Sequence, residues 1–296
     1  MMIKRITDFI AQERIRYLLP GLIYLALLFL FPLGYVIFLS FHNQNLLRPD
    51  LGRTFAGISN YVEILGDPAT WAMFGRTFYF IGGAIVTELL LGLLIALFLN
   101  REFRGVKIVR SIFLIPFFIA PVIVGFTWRF LLNPNYGPLP QIFEKLGLTF
   151  LMNPPVLAND GLVIPVLILV DNWQFLPFVV LVLLAGLKSL PTEPYEAAKV
   201  DGANAWQKFR HITLPLLKSS ILVALAIRTI TSIRLFDRIV IMTGGGPGTA
   251  SEVLSFSGYS LAFQSYQFGR ASVLGVIAAI LAATLTAIYM MVIGAD

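Results

Sequence analysis

The chain has 296 residues, of which 57% are hydrophobic and 13% charged, and its mean hydropathy of +0.82 is too apolar for a water-soluble domain of this length. Its net charge of +6 comes from basic residues set in short segments beside apolar runs, which is a membrane-topology pattern and gives no reason to expect nucleic acid. The sequence has no cysteine, which excludes disulfides, thiolate metal sites and cysteine nucleophiles; its two histidines, His42 and His211, have no cluster of ligands beside them, so neither a catalytic nor a metal site is expected.

A basic start (Lys4, Arg5, Arg14, Arg16) precedes the first apolar run, Leu18 to Phe41, which is long enough for a helix that needs about 20 residues to cross hydrocarbon. Without a small-residue cleavage pattern this run reads as a retained helix. Five further spans are expected at roughly Gly75 to Leu99, Ile108 to Leu132, Leu162 to Leu187, Leu216 to Met242 and Ala271 to Ile293. The fold class is therefore all-α, a polytopic membrane protein with six transmembrane helices, read as one domain over residues 1–296 because neither repeat nor linker interrupts it. His42 to Phe74 reads as an external segment with a short helix around Ile58 to Leu65, and Asn133 to Gly161 as an external loop rich in Pro, Gly and Asn. Thirteen basic residues lie in the amino-terminal tail, the Arg101 to Arg110 turn and the Lys188 to Lys218 segment, against six in the other three loops and their borders; by the positive-inside rule the thirteen face the cytoplasm. Six spans then put both termini there.

Span four carries Asp171-Asn172-Trp173-Gln174-Phe175-Leu176-Pro177-Phe178, where Pro177 frees the carbonyl of Trp173 and can bend the helix. Amides and aromatic faces suit a sugar, whose hydroxyls need two-way hydrogen bonds and whose C–H faces pack on rings. Next comes the longest polar segment, Pro194 to Pro215. Tyr195, Ala198 and Val200 alternate with Glu193, Glu196, Lys199 and Asp201, which predicts a short amphipathic helix. Gly202 can take the positive φ of a tight turn, a second short helix follows, and Pro215 suits the first turn of span five.

On span five, Arg228, Thr231, Ser232, Leu235 and Ile239 share one helical face, while Arg234, Asp237 and Arg238 fall on others and read as a local charge cluster nearer the outer end. Ionisable residues inside a membrane are costly, which marks Glu88, Asp171, Arg228, Arg234, Asp237 and Arg238. Arg228 keeps its charge and so needs an anion. If Asp171 supplies it, the pair is neutral and the cavity suits an uncharged sugar or polyol; if not, an acidic or phosphorylated sugar could complete the site. The comparable depths of Asp171 and Arg228 in their spans favour the pair. Among the later residues, Gly244-Gly245-Gly246-Pro247-Gly248 lacks the lysine of a phosphate-binding loop, so ATP would be handled by another chain.

Glu196-Ala197-Ala198, three residues, Gly202, nine residues and then Ile212-Thr213-Leu214-Pro215 resemble the EAA loop of permease subunits in binding-protein-dependent ABC importers. Phe236-Asp237, Thr243 to Pro247, Tyr259, Ala262-Phe263 and Phe268-Gly269 are similar to the carbohydrate-uptake branch of that family, the maltose permease pair. The resemblance implies that the loop is a cytoplasmic coupling helix seated in a cleft of an ATP-binding subunit, with Glu196, Ala197, Ala198, Asp201, Gly202 and Pro215 as its coupling residues. It also implies a substrate pathway at Asp171, Asn172, Gln174, Phe175, Phe178, Arg228, Thr231, Ser232 and Leu235. The partners implied are a second, homologous permease subunit, two ATP-binding cassette subunits that hold ATP and Mg, an external solute-binding protein, a small carbohydrate and the lipid bilayer of a bacterial or archaeal inner membrane. The chain itself would hold no cofactor and would not be an enzyme. This chain lacks the extra helices and large external insertion of the longer maltose permease, so contacts made there do not carry over. A self-contained secondary transporter or channel would explain spans and buried charges but not the 194–215 motif.

Overall fold

The computed structural model of the chain describes residues 17–48, 50 and 52–293; the basic start at Lys4 to Arg16 and the carboxyl-terminal Asp296 lie outside them. The elements are α1 (Tyr17–Ser40), a two-stranded antiparallel pair β1 (His42–Asn43) and β2 (Thr54–Phe55), α2 (Ser59–Gly66) and α3 (Pro68–Leu99). They continue with α4 (Val106–Phe118), α5 (Pro121–Leu131), α6 (Pro138–Lys145), α7 (Val163–Ser189), α8 (Glu193–Val200), α9 (Ala205–Leu216), α10 (Lys218–Ile233), α11 (Asp237–Met242), α12 (Leu254–Tyr259) and α13 (Phe268–Ile293). Among the described residues, α1, α3, α7 and α13 are each long and apolar enough to cross a membrane, and the bent pairs α4/α5 and α9/α10 raise the number to as many as six if each is one crossing.

Two expected spans are not single straight helices. The Ile108 to Leu132 run bends by 94° between α4 and α5. Pro121 disfavours helical backbone in the residue before it; Ala120 is extended at ψ 135° and Ile119 at ψ 133°, so the helix stops and restarts. The Leu216 to Met242 run breaks twice. Pro215, expected to open that span, lies inside α9, where it lacks the N–H that would reach the His211 carbonyl; the wider π-helical stretch Phe209–Thr213 just before it takes up the mismatch, and the 59° bend follows at Leu217. α10 then ends at Ile233, and the tight turn Arg234 to Phe236 separates it from α11. Arg228, Thr231 and Ser232 therefore share α10, but Leu235 and Ile239 do not continue its face.

The chain folds as two compact units, Met1–Gly66 with Ser260–Val276 and Asp67–Tyr259 with Ile277–Asp296. In the first, Asn60 on α2 donates from Nδ2 to the carbonyls of Ser40 and His42, each at 3.1 Å, and the Phe268 N–H donates to the Gln44 carbonyl at 2.9 Å. These bonds close the short connection after α1 onto the start of α13. Along α1 apolar side chains such as Leu18, Leu27 and Phe31 stand exposed, the surface a helix presents to hydrocarbon.

In the second unit α3 is started by Asp67, whose carboxylate accepts from the Ala69 N–H at 2.9 Å, with Pro68 in the first turn. α3 packs on α7, and Gly92 lets them approach closely: a Cβ there would stand 2.9 Å from Val179 Cγ1. The two helices run in parallel register, Gly83 facing Ile168 and Gly92 facing Val179. Since α3 and α7 point the same way, the broken α4/α5 segment between them makes one net crossing. α10 runs against both, with Gly186 of α7 beside Ser220 near its start and Asp171 beside Arg228 further along. Two apolar clusters fill the unit: Phe80, Ile81, Ala84 and Ile85 with Ile164, Leu167 and Ile168 toward one end, and Ala96 and Leu99 with Val179, Leu183, Leu187 and Leu217 toward the other. On α3 and α7 the charged residues stand between these clusters.

The α3–α7 contact gives a direct test. Gly92→Leu is expected to overpack it and lower stability by about 1–3 kcal/mol, whereas Gly75→Ala, at a position where nothing lies within 4 Å, leaves it unchanged or slightly raised. Thermal denaturation of the detergent-purified protein separates the two.

Candidate functional site

Four charged side chains meet in the apolar interior of the second unit. Arg228 donates from Nε to Glu88 Oε2 at 2.5 Å and from Nη2 to Glu88 Oε1 at 2.7 Å, and pairs with Asp171 through the same Nη2. Asp171 also pairs with Arg238. Glu88 is 0% exposed, Asp171 1%, Arg228 2% and Arg238 5%, so all four charges are withdrawn from solvent. Two guanidiniums against two carboxylates make the set neutral, and the fork of Arg228 meets the Glu88 carboxylate with two bonds. The Phe175 ring lies under both cations, 4.3 Å from the Arg228 guanidinium carbon and 5.1 Å from that of Arg238. The remaining Arg228 nitrogen, Nη1, donates to Thr231 Oγ1 at 2.8 Å.

The expected pairing of Asp171 with Arg228 is present, and the geometry adds two members. Glu88 stands out in the sequence as a costly intramembrane charge, but the sequence names no partner for it. A depth argument identifies one: eleven residues separate Glu88 from Leu99 and Arg228 from Leu217, so the two stand level in neighbouring helices. Arg238 is not part of a local cluster with Arg234 and Asp237. The turn after Ile233 re-aims α11, bringing Arg238 inward to Asp171 and leaving Arg234 exposed.

Around the charges stand the other residues expected to line the pathway. Asn172 donates to Thr87 Oγ1 at 2.6 Å. Gln174 donates to the Ile119 carbonyl at 2.7 Å, satisfying an acceptor freed by the α4/α5 break. Phe178 stacks on Phe117, ring centroids 5.4 Å apart, and Phe175 meets the same ring edge-on at 6.1 Å. Ser232 is buried beside this network, and Leu235 is buried in an apolar cluster after the helix break. Asn172 Oδ1, Gln174 Oε1, Ser232 Oγ and Arg238 Nε are buried polar atoms without a hydrogen-bond partner. Such atoms are costly to bury in an apolar interior. Asn172 and Gln174 face different neighbours, Thr87 of α3 and the break between α4 and α5, while Ser232 lies one helical turn beyond Arg228 on α10.

The 194–215 segment forms its own feature at one end of the unit. α8 ends in a Schellman motif: Gly202 takes φ 76°, its N–H reaches the Lys199 carbonyl at 3.2 Å, and the Ala203 N–H reaches the Ala198 carbonyl at 2.8 Å. Asn204 and Gln207 then exchange side-chain and backbone bonds, a capping box that starts α9. Tyr195 donates to Thr213 Oγ1 at 2.9 Å and ties the two short helices together. Glu196, Ala197, Asp201 and Gly202 stay exposed on the outer side and Ala198 is half-buried, while Val200 is 89% and Trp206 66% exposed. The segment is thus a rigid helix–turn–helix with polar and apolar side chains left uncovered. The Thr243 to Pro247 stretch, beyond α11, is folded around Ser251, whose hydroxyl lies 2.7 Å from that of Thr243 and 2.6 Å from the Gly246 carbonyl.

Residues 88–295 match the family described as the inner membrane component of binding-protein-dependent transport systems. The chain is 34% identical over 288 residues to the trehalose/maltose transport system permease protein of Thermococcus litoralis, covering 95% of this chain and 94% of that one. It is 31% identical over 287 residues to the trehalose transport system permease protein of Mycobacterium tuberculosis, covering 96% and 90%. Among solved structures, it aligns with a TM-score of 0.78 and 25% identity, over 96% of both chains, with a chain of a bacterial alginate ABC transporter in complex with an alginate pentasaccharide-bound periplasmic protein.

The closed charge network predicts that its members fail together. Arg228→Gln leaves two buried carboxylates sharing Arg238 and is expected to cost about 3–5 kcal/mol, and Glu88→Gln is expected to destabilise as well. The double variant Glu88→Gln/Arg228→Gln should lose clearly less than the sum of the two. Thermal denaturation checks this, and simple additivity would show that the pair is not coupled.

Proposed function

The chain belongs to the family of inner membrane components of binding-protein-dependent transport systems, and on that premise we propose that it is one transmembrane permease subunit of an ATP-driven importer for a neutral carbohydrate. The observation that carries the reading is the rigid, solvent-exposed loop from Pro194 to Pro215, whose exposed Glu196 and Gly202 fit a coupling helix held by a partner ATPase. Two ATP-binding subunits, a second permease subunit and an external binding protein complete the machine. The loop and both termini face the cytoplasm, as the concentration of basic residues on that side supports. In the cycle, the binding protein delivers solute to the outward-open state, and nucleotide-driven movement of the coupling helices reorients the spans.

The balance of charge in the network supports a neutral solute. Arg228 and Arg238 are already matched by Glu88 and Asp171, so neither guanidinium of the network is left free to attract an acid. The unpartnered atoms of Asn172, Gln174 and Ser232 offer hydrogen bonds, and Phe175 and Phe178 offer ring faces. Relatives named for trehalose and maltose transport support this choice.

Gly202 tests the coupling role. At φ 76° any side chain there is strained by roughly 1 kcal/mol or more, so Gly202→Val should abolish uptake and solute-stimulated ATP hydrolysis in proteoliposomes while the complex still accepts solute-loaded binding protein. Normal stimulation in that variant would remove the coupling assignment.

A further inference from the structure

The end of the second unit that holds the coupling loop also carries a cleft of about 500 Å³, between that loop and the end of α3. Three cations line it: Arg101 just beyond α3, Lys199 on α8 and Lys208 on α9. No carboxylate lines it, and among the described residues none of the three cations makes an ion pair. Tyr195, Thr213 and several apolar side chains complete its lining. Leu94 and Leu97 belong to the last turns of the membrane-crossing α3, with Leu94 65% exposed, and Trp206 packs on Phe209 at 5.5 Å on the opposite side. A membrane helix, a triad of unmatched cations and an aromatic pair therefore converge where hydrocarbon gives way to water.

We propose that this cleft binds the phosphate headgroup of an anionic phospholipid, with an acyl chain lying along Leu94 and Leu97. The charge count selects an anion, and the exposed leucines on a spanning helix select one that carries hydrocarbon over a free phosphate. Lys and Arg near an anionic membrane surface each add to lipid attraction, and indole rings favour this depth. Because Lys199 sits on α8 and Lys208 on α9, the lipid bridges the coupling element to the end of α3 and holds it against the membrane. The inference rests on the reading of the chain as a permease with this loop on the inner face.

The test is retention of phosphatidylglycerol by the full complex, reconstituted in nanodiscs of mixed phosphatidylcholine and phosphatidylglycerol and then measured by native mass spectrometry. The wild-type complex is expected to keep phosphatidylglycerol in preference to phosphatidylcholine. Retention should fall roughly five-fold for each charge removed in the series Arg101→Gln, Lys199→Gln and Lys208→Gln, and the charge-preserving variant Arg101→Lys/Lys199→Arg/Lys208→Arg should keep it. Equal retention by wild type and the triple Gln variant would overturn the proposal. So would displacement of the lipid by millimolar inorganic phosphate, which would assign the cleft to free anions, or loss of the ATPase from the triple variant with no lipid bound to wild type, which would assign it to an acidic protein surface. Nanodiscs present lipid to both leaflets, so retention reports on the cleft alone; an error in the assumed orientation would show separately, as labelling of a tag at residue 199 from outside the cell.

Discussion

Four full charges inside an apolar bundle can persist only if they neutralise one another, and most of the second unit is arranged to let them do so. Glu88 comes from α3, Asp171 from α7, Arg228 from α10 and Arg238 from α11, so each pairing fixes one helix against another. The parallel register of α3 and α7, set by close approach at Gly92, brings the two carboxylates level. The break after Ile233 returns α11 inward so that the second guanidinium can reach Asp171. Removing any one member would leave an uncompensated charge, which costs far more than the intact network contributes.

That closure also shapes what the permease can carry. On the proposed function, a network already balanced would present a solute with dipoles and ring faces instead of net charge. In the proposed reading, the amide oxygens of Asn172 and Gln174 and the hydroxyl of Ser232, buried and unmatched, are the groups offered to a hydroxyl-rich solute. At the far end of the same helices the coupling loop is rigid by construction, with a Schellman cap, a capping box and the Tyr195–Thr213 bond. The loop leads through α9 directly into α10, which carries Arg228.

Much of this is legible in the sequence because hydrocarbon allows few solutions. Apolar run lengths locate the spans, basic residues separate the two faces, and Gly202 announces its turn because the two short helices around it require positive φ. The Asp171–Arg228 pair follows from the need of a guanidinium for an anion. The helix breaks are less visible. Pro121 signals an interruption, but apolar composition runs straight through it, and the turn at Arg234 to Phe236 has neither Gly nor Pro to mark it. That unmarked turn is why the sequence groups Arg238 with Arg234 and Asp237: helical periodicity holds only while the helix does. Glu88 needs a three-dimensional argument, since its partner lies 140 residues away.

The central proposal is that solute passes beside the neutral network, against Ser232 one turn beyond Arg228 on α10. Because the chain has no cysteine, Ser232→Cys places a single, nearly isosteric thiol at that point. In the assembled complex this thiol should react with a small membrane-impermeant reagent during turnover, and a neutral disaccharide should slow the reaction while a uronic acid disaccharide does not. A thiol that stays unreactive in every nucleotide state, or one whose labelling ignores the neutral sugar, would contradict it.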